Sequence, residues 1–349
     1  MKQYLLGGKG KFYKGNLHCH TTWSDGSWTP EQVKEYYKEH GYSVVAFTDH
    51  DALIPHQDLR DPEFLPLNGL EIAIRNKEAN VKGKRPLVHM NFIALEEDNI
   101  QTPCFHRSKY ILHNEEACRA ALSYDESLPD VERFYNVETI NALIAEGKRR
   151  GFYVIYNHPV WSYENPVQML QYEGLDAMEI YNNACIMEGY DEFNSYMYDF
   201  LHRNGMRLAA VAADDNHDRK PIGYGNDSCG GWVQIEAEEL EYRAITRALE
   251  RGDYYASTGA VIHKVWVEDS HVCVECDPAE RVVVTVGNAK CRHTPFQDEP
   301  VTEARLKLPH YTTWFRVTVW DKNGKFAMTR AFMREELIEE LLPPPEEVK

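Results

Sequence analysis

The sequence lacks long apolar runs. No stretch of its 349 residues approaches the roughly 18 consecutive apolar residues of a membrane-spanning helix, so we expect no membrane association. Residues 1–15 have neither a long hydrophobic core nor a small-residue cleavage site, so they do not predict a signal peptide. We therefore expect a cytoplasmic protein whose eight cysteines remain reduced thiols.

Positive charge is also scarce. The 38 lysines and arginines face 55 aspartates and glutamates, which gives a net charge of −17. Such a surface repels polyanions, so we do not expect long nucleic acid as a partner. A small phosphorylated substrate stays compatible with this charge, because a bound metal ion can reverse the local sign.

Three common catalytic signatures are missing. The sequence contains no G-x-S-x-G motif, no P-loop and no dinucleotide-binding glycine fingerprint. What it does contain is a composition typical of a globular enzyme, with 43% hydrophobic and 27% charged residues.

Short apolar runs alternate with helical patterns through the first two thirds of the chain. This alternation predicts parallel βα units and an α/β fold class. The seven runs lie at 15–17, 43–48, 65–70, 87–95, 151–156, 175–181 and 206–212.

Two changes in pattern indicate the domain organisation. Residues 97–137 show weak periodicity and predict an insertion or lid, partly helical near 114–122. After an amphipathic helix at 240–252, short strands and turns dominate. We predict a barrel domain over 1–258 and a small C-terminal β domain over 259–349 with a short helical tail.

Histidines and carboxylates follow the ends of the apolar runs. In an α/β barrel the carboxyl ends of the strands share one face, so residues far apart in sequence would converge there. His89 fits this rule least well, because it lies near the start of its run. The residues that follow a run are His18, His20, Asp49, His50, Glu71, His158, Asn182, Asp215 and His217.

These residue types suit a metal centre. Neutral imidazole and carboxylate groups bind zinc, manganese and iron(II), whereas calcium prefers oxygen ligands alone. In a strand, His18 and His20 would point to the same side. Taken singly, each pair is more typical of a surface or core histidine, but the joint pattern supplies ligands for two or three ions. Just beyond His217, Arg219 and Lys220 are placed either to meet an anionic substrate or to form an ordinary salt-bridged loop.

The motifs LHCHTTWSDG, AFTDHD, NGLEI, LVHM, NHP and DDNH occur in that order within residues 13–220. Together they resemble the PHP superfamily (polymerase and histidinol phosphatase), in its standalone two-domain type. The resemblance implies a distorted seven-stranded (β/α)7 TIM-like barrel. It also implies phosphate-ester hydrolysis by two or three manganese, zinc or iron ions and a metal-bridged hydroxide.

Site roles follow from the resemblance, position by position. By the resemblance, Asp49 would take part in catalysis by orienting an imidazole. Apart from the resemblance, His217 is a further catalytic candidate, and Asn182, Arg219 and Lys220 are candidate substrate contacts. The implied ligand sets are His18, His20, Glu71 and Asp215 for a first ion, Glu71, His89 and His158 for a second, and Asp25, His50 and His217 for a third.

The sequence thus favours a metal-dependent phosphoesterase that acts on a small phosphorylated metabolite or nucleotide. Two alternatives stay open. One is a phosphodiesterase or exonuclease that acts on cyclic phosphates or short oligonucleotides. The other is a non-catalytic metal-binding barrel that presents its β domain to a partner.

Overall fold

The computed structural model describes residues 1–76, 86–112, 115–218, 226–295 and 297–342. The predicted substrate residues Arg219 and Lys220 and the end of the C-terminal tail lie outside these ranges. Within them the chain has a mixed α/β fold. Its helices are α1 (Pro30–Glu39), α2 (Glu115–Ala121), α3 (Val137–Arg149), α4 (Pro166–Met169), α5 (Asn183–Met187), α6 (Ser195–Arg203) and α7 (Tyr242–Arg251).

Strands make up most of the regular structure. They are β1 (Lys2–Leu6), β2 (Lys11–Asn16), β3 (Val44–Phe47), β4 (Leu65–Arg75), β5 (Leu87–Ala94), β6 (Phe152–Tyr156), β7 (Ala177–Asn182), β8 (Ala209–Ala213), β9 (Trp232–Ala237), β10 (Tyr254–Ser257), β11 (Ile262–Glu268), β12 (His271–Ala279), β13 (Arg281–Val286), β14 (Arg292–His293), β15 (Val301–Lys307), β16 (Trp314–Trp320), β17 (Phe326–Thr329) and β18 (Phe332–Met333).

Local sequence sets the helix ends. Thr29 caps α1 in a capping box with Gln32, and Asn136 accepts a hydrogen bond from the Thr139 amide at the start of α3. Helix α7 stops at Gly252, whose φ of 67° lies in the left-handed region that glycine adopts without strain. These caps fix the ends of three helices that lie between consecutive strands.

Strands β2 to β8 correspond to the seven predicted apolar runs, but they are not all parallel. β2, β3 and β4 run parallel, as do β6, β7 and β8, whereas β5 is antiparallel to both β4 and β6. The expectation of parallel βα units is therefore wrong at β5. Only residues 76–86 separate β4 from β5, and a parallel crossover needs about a dozen residues or more.

The sheet formed by β2 to β8 does not close by a continuous ladder in the described residues. Beyond the ends of β2 and β8, Cys19 and Asn216 form one parallel bridge, and the Asp215 amide donates to the His18 carbonyl at 3.0 Å. The far edge of β2 pairs instead with β9, in antiparallel orientation. In the described residues, β2 and β8 thus meet just beyond their ends, at His18 and Asp215.

The C-terminal strands extend this large sheet. From β9 it continues through β10, β17, β16, β13 and β14, and a second sheet has the order β1-β11-β12-β15. Apolar residues of β12, β13 and β16 pack together between the two sheets. Strand β1 belongs to the second sheet, so the start of the chain packs with the C-terminal strands.

Two smaller features complete the fold. The C-terminal tail forms separate 3₁₀ turns at 334–336 and 339–341, where the sequence predicted one helix. In the described part of the chain, no helix is long and apolar enough to cross a membrane.

The described residues of the segment 97–137 pack onto the strand ends near the site. The Arg133 guanidinium forms a buried ion pair with Asp51 at 2.6 Å and donates to the carbonyl oxygens of Ala73 and Cys104. Leu112 from the same segment lines a cavity beside His50. This anchoring fixes the segment against the wall of that cavity.

Candidate metal centre

The nine residues predicted as metal ligands lie together at one end of β2 to β8, beside a cavity of about 350 Å³. Their ligand atoms fall into four overlapping groups, within each of which the atoms lie no more than 4.8 Å apart. The groups are His20, Asp25, His50 and His217; His18, His158 and Asp215; His18, His20 and Glu71; and Glu71, His89 and His158.

Glu71 is the only carboxylate among the described residues that belongs to more than one of these groups. It lies on β4 with 1% of its surface exposed, and it belongs to two of the four groups. Asn157 donates to its Oε1 at 2.7 Å, which fixes the orientation of the carboxylate. Five imidazole nitrogens lie between 3.0 and 3.5 Å from its oxygens, those of His18, His20, His50, His89 and His158.

The pair of histidines after β2 faces Asp215. His18 Nε2 and His20 Nε2 each lie 3.1 Å from Asp215 Oδ1. This convergence is the result expected for an H-x-H pair in extended backbone, where side-chain direction repeats every two residues. It also brings residues from β2 and from the end of β8 into a single group.

A second cluster forms around Asp25. His217 Nε2 lies 3.4 Å from Asp25 Oδ1, and His20 Nδ1 lies 3.7 Å from the same atom. Burial raises the pKa of Asp25, but the hydrogen bond from His217 and the neighbouring imidazoles outweigh it and lower the pKa. The Asp25 carboxylate is therefore held in its charged form, the form that binds cations.

The antiparallel direction of β5 explains the position of His89. Because β5 runs opposite to β4, its first residues lie at the same end as the last residues of β4, and His89 pairs with Ala73. Its Nδ1 lies 3.0 Å from Glu71 Oε1. The antiparallel direction of β5 thus places His89, near the start of its strand, beside site residues at the carboxyl ends of the other strands.

Electrostatics within the site favour charged carboxylates and neutral imidazole at His50. Burial lowers the pKa of His50 to about 3, against the opposing charges of Glu71 and Asp25. Burial raises the pKa of Glu71, but His89, His18 and His50 outweigh it and hold that pKa well below its usual value. At His50 this is the neutral imidazole that metal binding requires. At His18 and His158 burial lowers the pKa, but the nearby carboxylates outweigh it and raise the pKa, so a metal ion would have to displace a proton there.

Backbone conformation at two of these residues is unusual. Asp215 has a φ of 54° and His158 a φ of 24°, both in the region that side-chain-bearing residues rarely adopt. Each conformation costs about 1–3 kcal/mol and persists where surrounding contacts fix it. Hydrogen bonds supply those contacts, from Asn182 to the Asp215 carboxylate and from the His158 amide to Glu179.

Glu179 is a site residue that sequence reasoning missed. It lies within β7 with 1% of its surface exposed, and its Oε1 lies 2.7 Å from His18 Nδ1. Its Oε2 accepts hydrogen bonds from the His158 amide and from Asn182. A carboxylate inside an apolar strand needs a partner when buried, which is the signal that could have identified it.

Asp49 holds the loop that follows His20. Its Oδ1 accepts hydrogen bonds from the Thr21 amide, the Ser24 amide and Ser24 Oγ, and its Oδ2 accepts from Thr21 Oγ1. Ser24 Oγ in turn lies 3.4 Å from His20 Nδ1. In the described residues Asp49 therefore reaches an imidazole through Ser24.

Asn182, the predicted substrate contact, is fully buried. Besides Glu179 and Asp215, it contacts the Cys185 amide, so that it also caps α5. Its described contacts thus orient site carboxylates.

Arg75 is the only lysine or arginine among the described residues that line the cavity. It is exposed and its guanidinium forms no ion pair with a described residue. Five carboxylate side chains share the lining with it, those of Asp25, Glu71, Glu188, Asp215 and Asp227. Sequence reasoning missed Arg75, because it lies four residues beyond Glu71 and outside every motif.

An aromatic side chain forms part of the wall. The Trp161 ring centroid lies 4.7 Å from that of His158 and 5.4 Å from that of His89, and Trp161 Nε1 donates to Glu188. Ala184 and Met187 of α5 and Leu112 also line the cavity. The site therefore combines a ligand-rich floor with a partly apolar wall.

The donor set fits divalent metal ions. His89 Nε2 is buried without a hydrogen-bond partner, and His50 Nδ1 lies 3.0 Å from Glu71 Oε2 without hydrogen-bond geometry. Buried nitrogens rarely go unpaired unless another partner is intended. Mixed imidazole and carboxylate donors suit metals such as zinc, manganese and iron. The cluster suits metal-dependent hydrolysis.

The chain resembles the PHP superfamily. It matches no protein-family model. Among curated proteins, the DNA polymerase/3'-5' exonuclease PolX of Bacillus subtilis (strain 168) is 35% identical over 65 residues, 19% of this chain. The match spans only 11% of the length of that relative.

Three solved structures are similar to this chain. A two-domain protein from Bacteroides vulgatus ATCC 8482, described as containing a predicted PHP-like metal-dependent phosphoesterase, has a TM-score of 0.46 at 13% identity, covering 95% of this chain and 98% of its own. A putative metal-dependent phosphoesterase from Bifidobacterium adolescentis ATCC 15703 has 0.39 at 17% identity, covering 62% and 91%. An amidohydrolase from Chromobacterium violaceum with bound sulfate and no metal has 0.36 at 14%, covering 58% and 87%. The first two descriptions name a metal-dependent phosphoesterase, and the first of them calls it PHP-like.

Proposed function

We propose that this protein is a metal-dependent phosphoesterase that hydrolyses a small phosphorylated metabolite or nucleotide. The observation that carries the proposal is the set of nine imidazole and carboxylate side chains around one cavity, with Glu71 shared between two groups. A shared carboxylate is typical of sites that hold closely spaced ions. Together, the four overlapping groups supply ligands for two or three ions.

The ions proposed are manganese, zinc or iron. His18, His20, Asp215 and Glu71 would hold one, Glu71, His89 and His158 another, and Asp25, His50 and His217 a third. Bound divalent ions neutralise phosphate charge and lower the pKa of a bound water. Of the six imidazoles, His217 is the most exposed, at 18% of its side chain, and therefore the one best placed to exchange a proton with substrate.

The residues around the ligands keep the site rigid. Asn157 fixes Glu71, Glu179 fixes His18 and the His158 backbone, and Asp49 fixes the loop after His20 through Ser24. Such supporting hydrogen bonds set the ring orientation and basicity of metal ligands.

The cavity wall favours a small anionic substrate. Its volume lies near the lower end of the range for small-molecule sites, about 300–1,000 Å³. Arg75 supplies a guanidinium for a phosphate oxygen, and the Trp161 ring offers a flat apolar surface to the esterified group. Arg219 and Lys220 are proposed to add positive charge. A polymer would have to overcome the net charge of −17 outside the cavity.

We also propose that β2 to β8 form the distorted seven-stranded TIM-like barrel of the PHP superfamily. The meeting of His18 and Cys19 with Asp215 and Asn216 supports this, because it joins the first and last of these strands where a barrel would close. The domain boundary near residue 258 belongs to the same proposal.

The test is hydrolysis of an aryl phosphomonoester and of the matching bis-aryl diester by chelator-treated protein, with and without added Mn²⁺. We expect Mn²⁺ to restore monoester turnover in the wild type and in His310→Ala, which removes an exposed histidine of the C-terminal part, but not in His20→Ala. Diester turnover lost in the same variant would assign a phosphodiesterase. Metal binding without turnover of either ester would contradict the proposed activity and favour the non-catalytic alternative.

A further inference from the structure

A second cleft lies between α6 and the C-terminal strands, apart from the metal centre. It has a volume of about 290 Å³. One face of β13 and β16 forms its floor, since Arg281 pairs with Trp320 and Thr285 pairs with Arg316 in the antiparallel ladder. The valines of the opposite face of these strands are buried in the core between the two sheets.

The lining of this cleft contrasts with the rest of the molecule. In a chain with a net charge of −17, the described lining includes two arginines and His293 and no carboxylate. The nearby carboxylate of Asp199 is already engaged, because it accepts from Arg316 Nε at 2.7 Å and from Arg316 Nη2 at 2.9 Å. The charged side chains that line the described part of the cleft are therefore all basic.

Two buried side chains of the cleft keep hydrogen-bond donors that their described contacts do not use. A guanidinium has five N–H groups, and the described contacts of Arg316 use three, two to Asp199 and one to Thr318 Oγ1. Because Thr318 Oγ1 accepts from Arg316, its own hydroxyl hydrogen remains for another partner. Both side chains are buried, with 6% and 4% of their surface exposed.

Thr285 supplies an independent observation. Its side chain is 6% exposed, it lines the cleft, and its hydroxyl makes no hydrogen bond to a described residue. Ser195, the first residue of the nine-residue helix α6, lines the opposite side, and no side chain caps that helix end. Buried hydroxyls are normally paired and uncapped helix amides attract anions, so the Thr285 hydroxyl and the start of α6 are groups that an oxyanion in the cleft could satisfy.

We propose that this cleft is a binding site for a small tetrahedral oxyanion, a phosphate group either free or on a small metabolite. Arg281 carries positive charge, Arg316 contributes the N–H groups that Asp199 and Thr318 do not use, Thr285 and Thr318 donate hydroxyl hydrogens, and the Trp320 ring flanks the site. The site is separate from the proposed catalytic cavity and shares no lining residue with it.

The test is titration of the full-length, metal-loaded protein with inorganic phosphate. Binding is measured by calorimetry and by tryptophan fluorescence. Phosphate is also a ligand for the proposed metal centre, so each variant is also made in the His20→Ala background. We expect Thr285→Val and Arg281→Gln each to weaken binding in that background at least tenfold. Arg305→Gln, which removes an exposed arginine of β15, is the matched control and should bind as the parent does.

Thr285→Val keeps the β-branched shape of the side chain, so its fold should survive, and circular dichroism checks this. Trp320→Phe separates the reporter from the site, since it should abolish the fluorescence change while heat of binding remains. Equal affinity in the His20→Ala parent and in both cleft variants would overturn the proposal, and so would absence of binding at millimolar phosphate. Binding of free phosphate that no phosphorylated metabolite can displace would indicate an adventitious ion only.

Discussion

Replacing Glu71 by glutamine should remove more metal than replacing any carboxylate that serves a single group. Glu71 belongs to two of the four ligand groups, whereas Asp25 belongs to one. The substitution preserves the size of the side chain but removes its charge and turns one oxygen into an N–H donor. That donor would face imidazole nitrogens that now lie 3.0–3.5 Å from a carboxylate.

The expected size follows from the role of the carboxylate. Loss of a group that merely supports a ligand typically costs 10–100-fold in metal affinity, so loss of a ligand should cost about 100-fold or more. A 100-fold loss corresponds to about 2.7 kcal/mol. In a metal buffer fixed at 100 times the wild-type Kd, an affected ion would fall from nearly full to about half occupancy. Glu71→Gln should show this fall at two ions and Asp25→Asn at one.

Metal content after equilibration in such a buffer, measured by mass spectrometry, is the assay. Glu164→Gln is a suitable control, because Glu164 is a buried carboxylate bonded to Tyr156 and Tyr172 outside all four groups. The control should retain wild-type metal content. If Glu71→Gln bound as much metal as the wild type, or lost no more than Asp25→Asn, the idea of a shared carboxylate would be refuted.

Three further outcomes follow from the structure. Arg75→Gln should raise KM for an anionic ester at least tenfold with a smaller change in kcat, and an unchanged KM would exclude Arg75 from substrate binding. Burial lowers the pKa of His202 to about 4, so below about pH 6.5 the folded state binds fewer protons than the unfolded chain. The folded state should therefore lose about 3 kcal/mol of stability as the pH falls from 6.5 to 4, and none of this stability should be lost above pH 6.5. His202→Gln should flatten that part of the Tm–pH curve, and a curve of unchanged slope would contradict the assignment. Asn136→Ala should lower the free energy of unfolding by about 1 kcal/mol in chemical denaturation, since it removes the cap of α3, and no change would show that the cap contributes nothing.

The sequence was most informative where short-range pattern and chemistry coincide. His18 and His20 follow β2, and Asp215 and His217 follow β8. The ends of these strands could therefore be recognised from apolar runs that are followed by polar residues. The structure brings these residues together, as their predicted strand positions require.

Long-range pairing was harder to read. The antiparallel direction of β5 depends on how short the connection from β4 is, and that cue was available in residues 76–86 but competed with the pattern of alternating strands and helices. Glu179 looks like an ordinary polar residue of a strand until its contact with His18 is known. The pairing of β1 with β11 leaves no local signature at all.

That pairing has a consequence for how the chain folds during synthesis. Tyr4 is synthesised about 260 residues before its partner Trp266 and cannot pair until that residue has been made. At typical elongation rates this delay is on the order of ten seconds or more, during which β1 exposes unpaired backbone groups. Lys2 reduces the hazard at this edge, because a charged residue disfavours pairing with other chains. Strand β1 therefore pairs late in folding, after β11 has left the ribosome.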